Sequence, residues 1–129
     1  MEYAPIPEED EELGRRVIGA AIEVHRLLGP GFLESIYERA LCHELTLRGN
    51  ALERQKGLTV RYKDLDIPGQ RLDLLVGRRV ITDLKTVEAL APIHQAQVLS
   101  YLKTTGLRLG LLINFKVLVL KDGIKRVVR

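Results

Sequence analysis

The sequence predicts an α/β fold, a mixed β-sheet with helices covering its faces. Three observations carry that prediction. Two amphipathic helical stretches open the chain, separated by Gly29-Pro30-Gly31. Two alternating segments, Arg71–Val76 and Val80–Lys85, follow as a hairpin of half-buried strands. A third helical stretch then leads into Leu109–Phe115, a mostly continuous apolar run of the kind found in strands covered on both faces.

The elements follow in order. Residues 1–8 read as a loose, flexible arm. From Glu9 to Leu28, Leu13, Val17, Ala21, Val24 and Leu28 recur at three and four, the period of a helix with one buried face. Gly29-Pro30-Gly31 ends it, and a second helix is expected from Phe32 to Arg48, closed by Gly49-Asn50. Strand-like alternation spans Leu58–Tyr62, with a turn at Lys63-Asp64 or at Pro68-Gly69. A third helix fits Ile93–Thr105, begun after Pro92 and stopped by Gly106. Val117–Leu120 and Ile124–Val128 flank Lys121-Asp122-Gly123 as a final hairpin.

At 129 residues the chain is expected to form one domain with a single core. Its 46% hydrophobic and 29% charged residues are those of a globular protein, and no run is long and apolar enough to span a membrane. The acidic, proline-bearing start is unlike a signal peptide. A lone cysteine, Cys42, excludes an internal disulfide and fits a reducing cytoplasm. The net charge of +3 is unevenly spread: six acids lie in the first twelve residues, and bases dominate after Arg108. A mildly basic body is compatible with a polyanionic partner.

The chemistry concentrates in the hairpin. Alternation puts Leu72, Leu74, Val76, Val80, Thr82 and Leu84 on one face and Arg71, Asp73, Leu75, Ile81, Asp83 and Lys85 on the other. If Val76 pairs with Val80 across Gly77-Arg78-Arg79, Asp73 lies opposite Asp83. Opposed like charges destabilise a sheet, and a hard divalent cation between them would convert repulsion into binding. The residues alone leave a second reading, a solvated face of ordinary surface charges. A one-residue slip would also separate the two acids, and Gly77 comes early for a three-residue loop. Glu34, in the first turn of the second helix, reads either as a dipole-stabilising charge or as a third carboxylate for the site. Gln97 and Tyr101, at i and i+4 on the third helix, share one side with His94.

Taken together these residues resemble the GxxExxY family of small bacterial and archaeal proteins, within the PD-(D/E)xK nuclease superfamily. The matching segments are Val24-His25-Arg26, Leu28–Tyr37 around Gly31, Glu34 and Tyr37, Arg71–Val76, Asp83–Lys85, His94–Lys103 and Gly106–Phe115. The resemblance implies a restriction-endonuclease-like core. It also implies a role for each matching residue. Asp73 matches the first metal-binding aspartate, Asp83 the second acid and Lys85 the lysine that follows it. Glu34 matches the acid on the helix before the sheet, and Gln97 and Tyr101 resemble a QxxxY element. The family usually carries Glu where this chain has Asp83, one methylene shorter.

The implied activity is hydrolysis of phosphodiester bonds in nucleic acid, DNA favoured over RNA. Glu34, Asp73, Asp83 and the Leu84 carbonyl would hold Mg²⁺ or Mn²⁺. Lys85, Gln97 and Tyr101 would act on the water or the phosphate. Two other readings share the fold: a homodimeric, structure-selective resolvase-like endonuclease, and a non-catalytic module binding nucleic acid or protein.

Overall fold

The computed structural model describes residues 4–129. Helices α1 (Glu8–Leu28), α2 (Glu34–Leu47) and α3 (Pro92–Thr105) flank a sheet of β1 (Leu52–Tyr62), β2 (Leu65–Val76), β3 (Val80–Lys85), β4 (Leu109–Asn114) and β5 (Ile124–Val128). The strands lie in sequence order. All neighbours are antiparallel except β3 and β4, which run parallel because α3 carries the chain back between them. Of the expected arm, Met1–Tyr3 lie outside the described residues. The rest is tied down: Ile6 packs on the core and Arg108 Nη2 donates to the Ala4 carbonyl at 2.7 Å.

Hydrophobic burial assigns the faces. On α1, Gly14, Val17, Ala21 and Val24 are buried at helical spacing, and Glu8–Glu11 place acids at the positive end of the helix dipole. Gly29 then takes φ 72° and ends the helix, its N–H bonded to the His25 carbonyl. Helices α1 and α2 cover one face of the sheet, with Tyr37, Leu41 and Leu45 packed among Leu74, Val76, Val80, Leu84, Leu111 and Ile113. Helix α3 covers the other, setting Tyr101 and Leu102 against Leu72, Leu75 and Ile81. It approaches closely because residue 110 is glycine: a Cβ there would lie 2.5 Å from Val98 Cγ1.

Four expectations need correction. β1 begins at Leu52, six residues before the alternation does. Its first half is polar because it is an edge strand, bonded to β2 alone, so no apolar face marks it. Of the two candidate turns, Lys63-Asp64 is the real one, and Pro68-Gly69 lies inside β2 where the ladder shifts register between Leu58 and Thr59. The final hairpin does not form. Val117–Val119 is irregular, Leu120–Gly123 is a short 3-10 helix, and Ile124–Val128 pairs with β4, whose open edge offers a longer ladder than a local partner could. Leu72 also departs from its expected face. It lies on the α3 face with Leu75, not with Leu74 and Val76.

The hairpin register is the one expected. Val76 pairs with Val80, Leu75 with Ile81 and Leu74 with Thr82. Gly77 and Arg78 both take left-handed φ, 59° and 62°, as a primed hairpin turn requires. Gly77 is needed there twice over, since a Cβ would also stand 2.6 Å from Leu13 Cδ2. Arg79 Nη1 bonds the buried Asp10 at 3.0 Å and ties this turn to α1.

Candidate active site

The change of face at Leu72 is made by Asp73. β1 and β2 pair regularly as Lys56–Leu72 and again as Arg54–Leu74, but the level between, Gln55 and Asp73, drops out of the ladder. Freed there, Asp73 turns across toward β3, where its Oδ2 accepts from the Leu84 amide at 2.9 Å. The Asp73–Asp83 opposition is thus a kink at the mouth of the hairpin, not a regular cross-strand pair.

Asp83 lies on the face covered by α3 and is 2% exposed. Its Oδ2 stands 3.1 Å from Lys85 Nζ, yet no hydrogen bond of good geometry reaches that oxygen from the described residues. Lys85 Nζ donates to Gln97 Oε1 instead, at 3.1 Å. Burial, and after it the negative charge of Asp73, push the Asp83 carboxyl up to about 7, with Lys85 pulling the other way. Buried carboxylate oxygens are ordinarily satisfied, so this one is out of the ordinary.

Glu34 comes from the first turn of α2. Burial raises its pKa, then the charge of Asp73, against the pull of Lys85, so the three groups share one field. Its placement is set by Tyr37, wholly buried, whose hydroxyl donates to the Gly29 carbonyl and accepts from the Phe32 amide while its ring stacks on Phe115 at 4.5 Å. That clamp fixes the Gly29–Leu33 loop and the start of α2.

On α3, Gln97 reaches Lys85, and Tyr101 lies buried below it. Burial, then Asp83 and Asp73, push the Tyr101 hydroxyl up to about 12, so it keeps its proton and can only donate to an anion. His94 does not join them. Its Nδ1 accepts from the Ala91 amide and caps the helix. The site therefore grades outward: Asp83 and Tyr101 buried, Asp73 and Lys85 half-buried, Glu34 and Gln97 exposed.

Sequence reasoning missed Glu38 and Gln55. Glu38, one turn beyond Glu34 and 7% exposed, accepts from Arg54 at 2.7 Å and from Gln55 at 2.6 Å. The i, i+4 spacing of Glu34 and Glu38 was the available signal for Glu38. Nothing local marked Gln55.

Among the described residues, no three Asp, Glu, His or Cys side chains come together closely enough to enclose a metal ion. Glu34 is thus not gathered with Asp73 and Asp83 into a closed cage. The pair itself still fits a hard cation: one oxygen is buried with no well-angled hydrogen bond, only the Lys85 ammonium beside it, and Mg²⁺ is commonly held by one or two carboxylates, with water and substrate phosphate completing its shell.

A family model described as the PD-(D/E)XK nuclease superfamily matches residues 11–127. The chain belongs to that superfamily, whose nucleases typically use divalent metal ions and act on nucleic acid. Searches of curated proteins and of solved structures found no match. No helix among the described residues is long and apolar enough to cross a membrane.

Proposed function

We propose that this protein is a Mg²⁺- or Mn²⁺-dependent nuclease of the GxxExxY type, cutting phosphodiester bonds in DNA in preference to RNA. Gly31, Glu34 and Tyr37 carry the motif, and the lone cysteine favours a cytoplasmic setting. The observation that carries the reading is the buried Asp83 Oδ2, without a well-angled hydrogen bond, beside Asp73 and Lys85.

In this reading Asp73, Asp83 and the Leu84 carbonyl would hold the ion, and Glu34 would act on it from farther out. Held there, such a cation would supply Lewis-acid chemistry, lowering the pKa of a bound water and offsetting phosphoryl charge. Lys85, steadied by Gln97, orients that water and donates to the phosphate as negative charge builds on it. Tyr101 donates to the same charge from below. Glu34 and Gln97, exposed at the rim of the site, would face a bound polymer, and scattered Arg and Lys would meet its phosphates without reading sequence.

Two variants test the assignment. Asp73→Asn should abolish Mn²⁺ binding in calorimetry and all cleavage. Lys85→Ala should keep fold and most metal affinity but lose at least about 100-fold in rate, the usual scale of a positioned proton-transfer group. Turnover in Lys85→Ala equal to wild type would remove Lys85 from the mechanism. One observation favours a second reading, a non-catalytic nucleic-acid-binding module: Lys85 already stands where a cation's charge would, 3.1 Å from Asp83. Tight, salt-sensitive binding with no cleavage of any nucleic acid would decide for it.

A further inference from the structure

We propose that Gln55 is a positioning residue of the site, setting the Asp73 carboxylate through its side-chain amide while a left-handed backbone holds it in place. The inference rests on the reading of Asp73 as a cation ligand. Gln55, Lys63 and Arg78 are the non-glycine residues with positive φ among those described. Lys63 and Arg78 sit in the turns of the two hairpins, where such φ closes the loop. Gln55, at φ 48°, lies inside β1, where no turn needs it. Backbone strain of this kind persists only where its surroundings over-determine it, and it concentrates at functional sites.

The surroundings here can be named. In a regular strand successive side chains go to opposite faces. Arg54 and Gln55 are neighbours, yet both reach Glu38 on α2. The left-handed residue makes this possible by turning β1 over. Leu52, before it, packs on the α1–α2 core, and Leu58, beyond it, on the α3 cluster. β2 turns over at the same level, at Asp73. The two kinks face each other, and the Gln55 amide lies between two acids, Glu38 of α2 and Asp73 of β2: 2.6 Å to Glu38 Oε1 and 3.5 Å to Asp73 Oδ1. Glu38, anchored by Arg54 on its other oxygen, fixes the amide. The Leu84 amide takes Asp73 Oδ2, so Asp73 is steadied from two sides.

The chemistry favours an amide at this position. A Lys or Arg there would steady Asp73 equally well but would neutralise it, weakening its hold on a cation. A neutral amide donor orients the carboxylate and leaves its charge in place. Groups that orient a metal ligand in this way govern metal affinity without touching the ion.

The test uses the full chain with three substitutions. Gln55→Gly suits the left-handed φ and deletes the amide; Gln55→Ala deletes the amide and keeps the strain; Asp73→Asn is the control for the ligand. Melting temperature is measured in EDTA and Mn²⁺ affinity by calorimetry. Gln55→Gly should melt above Gln55→Ala, yet bind Mn²⁺ about tenfold or more weakly than wild type, the scale seen when a partner of a metal ligand is removed. Wild-type affinity in Gln55→Gly, with binding lost in Asp73→Asn, would overturn the role of Gln55 and leave the metal reading standing. Unchanged binding in Asp73→Asn would overturn the metal reading and this inference with it. A Gln55→Gly protein melting no higher than Gln55→Ala would overturn the claim that the backbone is strained.

Discussion

At Asp83 the demands of the fold and of the site oppose each other. A carboxylate 2% exposed, facing a second acid, resists ionising, and its pKa rises from 3.8 to about 7. The sign of the pH effect follows. Between about pH 4 and about pH 7 the folded, metal-free protein keeps a proton that the unfolded chain has lost. Stability from this group is therefore full below the lower value, falls as pH rises through the window, and levels above it. In EDTA, the melting temperature of wild type should fall across that window relative to Asp83→Asn. Parallel profiles for the two proteins would show that Asp83 titrates normally. The same linkage makes Mn²⁺ bind more tightly as pH rises toward 7, because the ion must displace that proton. Much of this was legible at the residue scale. The alternation around Asp73 and Asp83 set them across a hairpin, and the register proved as expected. The kink was not legible, because it depends on Gln55, a residue of unremarkable type eighteen positions away in a polar edge strand.

At the scale of elements, α3 delivers Gln97 and Tyr101, and it can do so only by sitting close on β3 and β4. Gly110 is what lets it. Gly110→Ala drives a methyl into Val98 and should cost about 1–3 kcal/mol in urea unfolding, as overpacking of a tight core does. It should also weaken cleavage by lifting Gln97 from Lys85. An Ala variant as stable as wild type would mean that α3 is free to slide. Helices α1, α2 and α3 and strand β3 were readable from the spacing of their apolar residues and their Gly and Pro boundaries, and β4 from its unbroken apolar run, because it is buried along its whole length. β5 was readable as a strand, at Ile124–Val128, but not in its pairing: its local sequence offered a hairpin with Val117–Leu120, and the open edge of β4, a tertiary fact, took it instead. Tyr37 shows the same limit. Its spacing from Gly31 and Glu34 was visible, but its clamp on Gly29 and Phe32 needed the folded loop.

Across the whole molecule, the sheet stands between two helical layers, and the candidate site lies where β2 and β3 part, between α2 on one side and α3 on the other. Membership of the nuclease superfamily fits this placement, since each layer contributes a group: Glu34 from one, Gln97 and Tyr101 from the other. A diffuse basic surface should bind nucleic acid in EDTA with an affinity that falls steeply with salt, as released counterions require. In the proposed nuclease, cleavage depends on a cation held at the Asp73–Asp83 pair. The most direct test of that dependence is a cleavage assay on linear, single-stranded and branched DNA, and on RNA, with Mg²⁺ or Mn²⁺ and with EDTA, comparing wild type with Asp73→Asn. Wild type should cut with either ion, DNA before RNA, and not in EDTA, and Asp73→Asn should cut nothing. Folded wild-type protein that cuts nothing with either ion, or an Asp73→Asn variant that cuts as fast, would contradict the proposal.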